Sequence, residues 1–192
     1  MPSSRNTRSP STESGTRLFV RITGEDNPKA CTGRRLLRRG LAREWSGHSA
    51  YETGPILLDP RAPDPITVLD RPHAVAAGIL VIDCSWNRLH SRRGFDPALP
   101  GVAGLERRRL PWLLAGNPQH YGRVGELNTA EAFAAALAVV GRAAEAARLL
   151  DGFAGGSNFL SINRERLARY AAARDGEHVR LAERELFSRE SG

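Results

Sequence analysis

The sequence predicts an α/β fold: a mostly parallel sheet of about five strands with flanking helices, followed by an all-helical domain. Three observations carry this. Short apolar runs alternate with helix-forming segments up to residue 116. Two of the runs, GILVIDC at 78–84 and LPWLLAG at 110–116, are apolar on both faces, as buried parallel strands are. Beyond residue 116 the pattern changes to helical spacing, with no further strand signal.

The elements follow in order. Residues 1–16 are rich in Ser, Thr, Arg and Pro and have almost nothing to bury, so they read as a disordered tail. Strands are expected at 17–23 (RLFVRIT), 55–59 (PILLD), 66–70 (ITVLD), 78–84 and 110–116. Helices are expected at 31–44, at 73–77 and from 85 to 90. Asn128-Thr-Ala-Glu131 has the Asn-x-x-Glu form of a capping box, and Phe133, Ala136, Leu137 and Val140 follow at helical spacing. Further helices are expected at 142–150, 164–174 and 177–189. The α/β domain then covers 17–116 and the helical domain 117–192.

Composition narrows the function. The net charge is +7, and Lys29 is the only lysine among 28 basic residues. Arginine forks match phosphate oxygens and stack on bases, which suits an RNA partner; a GC-rich genome also favours arginine codons. No apolar run reaches the roughly 18 residues of a membrane span, and the first residues lack a secretory signal, so a cytoplasmic protein is expected. Cys31 and Cys84 are too few for a disulfide framework and are expected as reduced thiols. The five histidines show no metal-ligand spacing, and no metal is expected.

Four segments carry candidate chemistry. In DNPKACTGRR, at 26–35, a polar turn opens a helix whose free N–H groups suit a carboxylate or phosphate. There Thr32 either joins such a site or caps the helix. In VIDCSW, at 81–86, Asp83 stands at the carboxyl end of a buried strand, where α/β sheets bind ligands. It can accept from an amine or hydroxyl, take a proton, or cap the next helix, and Trp86 can wall a pocket or pack in the core. In RRRLPWLLAGNPQHYG, at 107–122, three arginines stand at a strand entrance. In GELNTAE, at 125–131, a loop enters a capped helix. Arg34, Arg35, Arg38, Arg39 and Arg43 add a dense positive cluster on the helix predicted over 31–44.

Together, DNPKACTGRRLLRRGLA, VIDCSWNRL, RRLPWLLAGNPQHYGRVGELNTAEAFAAAL and, more loosely, LLDGFAGGSNFLSINRERLARY resemble one family. It is the ribosome-biogenesis aminocarboxypropyltransferases of archaea and eukaryotes, which act on small-subunit rRNA. The resemblance covers most of residues 25–170. It implies a SPOUT-like fold with a knotted chain and S-adenosylmethionine (SAM) as donor co-substrate. The implied acceptor is N3 of a pseudouridine, often methylated at N1, in rRNA or a pre-ribosomal particle. It also implies a donor site made of Thr32, Leu58, Pro60, Ile82, Asp83, Trp86, Leu110, Gly125 and Thr129, largely through backbone contacts. Relatives often carry a large residue where this chain has Gly125. Asp83 is the candidate to assist loss of the acceptor proton or to orient the donor's amino group. Arg34, Arg35, Arg38, Arg39, Arg107 and Arg108 are the candidate RNA contacts. A SPOUT-type RNA methyltransferase and a non-catalytic RNA-binding assembly factor are the alternatives.

Overall fold

The computed structural model describes residues 15–23, 31–47, 53–83 and 101–188. Its sheet has five parallel strands: β1 Leu18–Ile22, β2 Arg43–Glu44, β3 Ile56–Leu58, β4 Ile79–Asp83 and β5 Arg107–Arg108. They lie in the order β2-β1-β4-β3-β5. The register sets Val20 and Leu58 level with Val81 on the central strand. Alternation then sorts the side chains by face. Leu18, Val20, Ile56, Leu58, Ile79 and Val81 join the larger apolar cluster. Phe19, Leu57, Leu80 and Ile82 meet Trp45, Val102 and Leu105 on the other side.

Crossover handedness accounts for what covers each face. Helices α1 Thr32–Arg38 and α2 Arg71–Ala77 connect β1 to β2 and β3 to β4, both moving the same way across the sheet. Right-handed crossovers therefore put both helices on one face, where Leu36 and Ala74 are buried in the larger cluster. The links from β2 to β3 and from β4 to β5 run the opposite way and cover the other face with Trp45, Val102 and Leu105.

Three sequence expectations are corrected here. The helix expected over 31–44 stops at Arg38: Arg39 caps it, Gly40 follows at φ 66°, and the chain turns into β2. Residues 66–70 do not form a strand. The Thr67 hydroxyl accepts from the Leu69 N–H and the Asp70 carboxylate accepts from the Thr67 N–H, which closes a 3-10 turn over Val68–Asp70. The strand expected at 110–116 is also absent. Sheet pairing ends in an isolated bridge between Pro65 and Arg109, and Pro111 has no N–H to continue it.

The residues after Pro111 are nonetheless bonded along both edges. The N–H groups of Trp112, Leu114 and Gly116 donate to Glu183 Oε1, Asn163 Oδ1 and Glu131 Oε1, each at 2.9 Å. Asn163 Nδ2 and the Tyr170 hydroxyl return bonds to the carbonyls of Leu114 and Trp112. The intervening residues bond the 122–125 loop: Ala115 N–H to Arg123 O, Gly122 N–H to Ala115 O and Gly125 N–H to Leu113 O, each 2.8 Å. Residues 109–117 thus form a thread held by side chains on one edge and by a loop on the other.

Those side chains come from the remaining helices: α3 Thr129–Val139, α4 Ala143–Leu150, α5 Gly156–Ile162, α6 Arg164–Ala172 and α7 Gly176–Ser188. The expected capping box is present at α3, with Asn128 Oδ1 accepting from Glu131 N and Glu131 Oε2 from Asn128 N. Helix α3 is buried almost all round, as its Ala-rich apolar sequence requires. Helix α5 begins in a Gly-Gly-Ser-Asn run, with Gly155 at its N-cap. A Cβ on Gly155 (φ 83°) would lie 2.2 Å from Gly116 O, and one on Gly116 would lie 2.4 Å from Phe159 N. These glycines let the thread touch α5. One apolar cluster runs from Val20, Leu58 and Val81 to Phe133, Leu137, Phe159 and Tyr170, across the boundary expected near residue 116. The helix expected over 85–90 and most of the N-terminal tail lie outside the described residues.

The thread makes a stability prediction. Buried Glu183 accepts both Arg109 Nη1 and Nη2, at 2.6 and 2.8 Å, as well as the Trp112 N–H. Glu183→Ala leaves a largely buried guanidinium unpaired and is expected to cost about 3 kcal/mol of unfolding free energy. Urea denaturation checks this; an unchanged midpoint contradicts it.

Candidate functional site

Adjacent strands β1 and β4 send their following connections in opposite directions, β1 toward β2 and β4 toward β5. The crevice at their carboxyl ends is the topological switch point, the usual ligand position in open parallel sheets. Asp83 ends β4 at this point, and its carbonyl accepts from the N–H and hydroxyl of Thr23, just past β1, at 3.3 and 3.2 Å.

The Asp83 carboxylate gathers the site. Oδ2 accepts from the Cys31 thiol at 2.8 Å and from the Gly33 N–H at 3.0 Å. Oδ1 accepts from the Thr129 hydroxyl at 2.7 Å. One side chain therefore joins the end of β4 to the starts of α1 and α3. The approach to α1 requires glycine: a Cβ on Gly33 would stand 2.3 Å from Asp83 Oδ2. Cys31 also supplies the α1 cap, its sulfur accepting from the Arg34 N–H at 3.4 Å. Thr32 is thus the first helical residue and not the cap. Burial of Cys31, and then its hydrogen bond to the Asp83 carboxylate, push the thiol up to about 11.

The remaining expected donor residues distribute unevenly around this junction. Leu58 is buried at the end of β3, on the same face as Val81. Pro60 is exposed just beyond it, in a turn fixed by Asp59, whose carboxylate accepts from Arg61 N–H at 2.9 Å and Arg107 Nη1 at 3.3 Å. Leu110 packs half-buried against the larger cluster. Gly125 is exposed at φ 76°, with open space where a side chain would stand. Ile82 is set apart, because its side chain belongs to the opposite face of the sheet from Asp83. Any contact it makes in the crevice is through its backbone. Trp86 and Cys84 lie outside the described residues. Cys31 and Gly33 were not singled out by sequence, although both stand in the Cys-Thr-Gly motif.

The arginine clusters divide. Arg34 and Arg38 are exposed on α1. Arg35 Nη2 donates to Gly152 O at 2.7 Å and Arg39 Nη1 to Asp151 O at 2.9 Å, and both guanidinium groups lie over Phe153, 4.8 and 4.9 Å from its centroid. Arg43 belongs to β2 and not to the helix. Arg107 and Arg108 form β5 itself and do not stand before a strand; they pair with Asp59 and Asp70 at 3.3 and 3.0 Å. Among the described residues, no group of three or more His, Cys, Asp or Glu side chains is placed to hold a metal.

The Cys31 environment is directly measurable. With its thiol at about 11, the reactive thiolate is scarce at neutral pH. On a Cys84→Ser background, iodoacetamide is expected to alkylate native Cys31 slowly at pH 8, with no plateau below roughly pH 10, and to react readily once the chain is unfolded in urea. A native rate that levels off near pH 8.5 contradicts the junction.

Comparison with known proteins agrees with this architecture. The family described as "Ribosome biogenesis protein, C-terminal" matches residues 56–187. The 16S rRNA aminocarboxypropyltransferase of Methanosarcina acetivorans is 41% identical over 162 residues, covering 84% of this chain and 89% of that protein. The 18S rRNA aminocarboxypropyltransferase of Schizosaccharomyces pombe is 33% identical, covering 85% of this chain and 54% of the longer yeast protein. The solved structure of the SAM-dependent rRNA:acp-transferase from Vulcanisaeta distributa superposes with a TM-score of 0.74 at 38% identity, covering 90% of this chain and 89% of that one. With a superposition over 90% of the chain, a family match over most of its length and relatives this similar, the chain belongs to the rRNA aminocarboxypropyltransferase family.

Proposed function

We propose that this chain transfers the 3-amino-3-carboxypropyl group of SAM to N3 of a pseudouridine-type base, often already methylated at N1, in small-subunit rRNA. The observation that carries the reading is the Asp83 junction. It holds the starts of α1 and α3 around the switch-point crevice, using segments that match the family's motifs. In the reaction the acceptor N3 forms a bond to the methionine Cγ of the donor. The Cγ–S bond breaks, its electron pair stays on sulfur, and methylthioadenosine leaves. The N3 proton passes to solvent or to a nearby base. Geometry selects the product, since attack must be in line with the Cγ–S bond and not with the methyl.

The protein's own groups have distinct parts in this reading. Thr32, the Ile82 backbone, Leu110, Gly125 and Thr129 surround the donor, with Leu58 and Pro60 toward its adenine and Trp86 against its methyl. Asp83 acts as a positioning residue, because three of the about four acceptor sites on its carboxylate are taken by the Cys31 thiol, the Gly33 N–H and the Thr129 hydroxyl. Arg34 and Arg38 meet RNA phosphates; Arg35 and Arg39 are shared with the 151–153 turn, and Arg107 and Arg108 with Asp59 and Asp70. The thread at 109–117 is read as part of a SPOUT-like knotted path, supported by its enclosure between the 122–125 loop and three helix-borne side chains. The partner is the rRNA of a pre-ribosomal particle in the cytoplasm. Among the described residues, no helix is long and apolar enough to cross a membrane.

Isotope placement tests the reading independently of rate. Incubated with unmodified small-subunit RNA, donor labelled in its carboxyl carbon should leave label in the RNA. Methyl label should leave as methylthioadenosine. Methyl label in the RNA, with adenosylhomocysteine released, would make the chain a methyltransferase. No donor binding at all would make it an assembly factor.

A further inference from the structure

The loop between the thread and α3 has a side chain that neither the fold nor the donor site uses. Tyr121 stands at its tip, 59% exposed. Among the described residues its hydroxyl has no hydrogen bond and its ring no aromatic or cationic partner. The backbone beneath it is nevertheless pinned on both sides. His120 N–H donates to Asn117 O and Oδ1, at 3.3 and 3.0 Å, and Arg123 N–H donates to His120 O at 2.9 Å. Gly122 N–H donates to Ala115 O and Ala115 N–H to Arg123 O, both at 2.8 Å. Asn117 is tied in turn to the Glu131 carboxylate at 2.7 Å, inside the α3 capping box. An aromatic ring held out on so fixed a backbone gains nothing for folding, since exposed apolar surface is left in water.

Its surroundings say what it can receive. Two residues on in the chain, Arg123 holds a largely exposed guanidinium beside Glu126, and His120 pairs with the same carboxylate. Eight residues on, Thr129 is bonded to Asp83 at the crevice. An exposed flat ring with an arginine two residues on in the chain, eight residues before the crevice residue Thr129, suits an unstacked nucleobase and its phosphate. We propose that Tyr121 is the stacking platform for a base of the acceptor strand, holding single-stranded RNA against the crevice. The proposal rests on the rRNA-modifying function above and adds a substrate-binding residue to it.

The experiment uses the full chain and a single-stranded RNA carrying the acceptor sequence, with 2-aminopurine placed beside the acceptor. Wild type is expected to quench the probe on binding. Tyr121→Ala is expected to abolish the quench and weaken RNA binding roughly tenfold, as loss of one base–aromatic stack does. Tyr121→Phe should restore both, because the ring and not the hydroxyl is used. SAM affinity by calorimetry should be equal in all three proteins. Equal quenching and RNA affinity in wild type and Tyr121→Ala overturn the proposal, as does a parallel fall in SAM affinity, which marks a merely structural role. If wild type binds RNA but transfers no group, the activity reading fails while the stacking measurement still decides this one.

Discussion

Everything in this fold depends on the extended run at 109–117 having its backbone bonds made by helix-borne side chains. A buried N–H without a partner costs about 1–3 kcal/mol. The amides of Trp112, Leu114 and Gly116 avoid that cost through Glu183 on α7, Asn163 between α5 and α6, and Glu131 on α3. Each of these side chains also bonds elsewhere: Glu183 to Arg109, Asn163 to Phe159 O, Glu131 to Asn117 and Asn128. The helices therefore cannot shift independently of the thread, nor the thread of the sheet it leaves. Burial raises the Glu131 carboxyl above its ordinary range, against the opposing effect of its donors.

That rigidity is what the crevice uses. Helix α3 is fixed at its first turn by Glu131 and presents Thr129, its first residue, to Asp83. Helix α1 is fixed from the other side, with Gly33 admitting the carboxylate and Arg35 and Arg39 stacked on Phe153 at its far end. The arginines that look like an RNA patch in the sequence are thus partly a clamp between α1 and the turn after α4. Asp83 stands where a base would be expected, yet it spends both oxygens on holding three chain segments together.

Much of this was legible in the sequence, and the exceptions have physical causes. Strands β1, β3 and β4 announce themselves by apolar runs, and Asn128-Thr-Ala-Glu131 forms the capping box its spacing predicts. The run ITVLD has strand-like residues, but Thr67 and Asp70 bond their own backbone and close a turn first. Residues 110–116 are as apolar as a strand, with Pro111, Leu113, Ala115 and Gly116 buried; only the partners differ, and those lie 15–71 residues away. Strand β2 is two charged residues, with no periodicity to read. In the candidate site, Asp83 and Thr129 stand in motifs legible in the sequence, and the fold brings their side chains together. Cys31 and Gly33 act through a thiol and a backbone N–H, which residue type alone does not mark as functional.

The claim that Asp83 organises the site and does not remove the acceptor proton is open to one direct measurement. It is the single-turnover rate of carboxyl-label transfer as a function of pH, in wild type and in Asp83→Asn. A positioning role predicts two profiles of the same shape, the variant lower by a constant factor at every pH. A variant profile that flattens where the wild-type rate still rises with pH would make Asp83 the base and contradict the account.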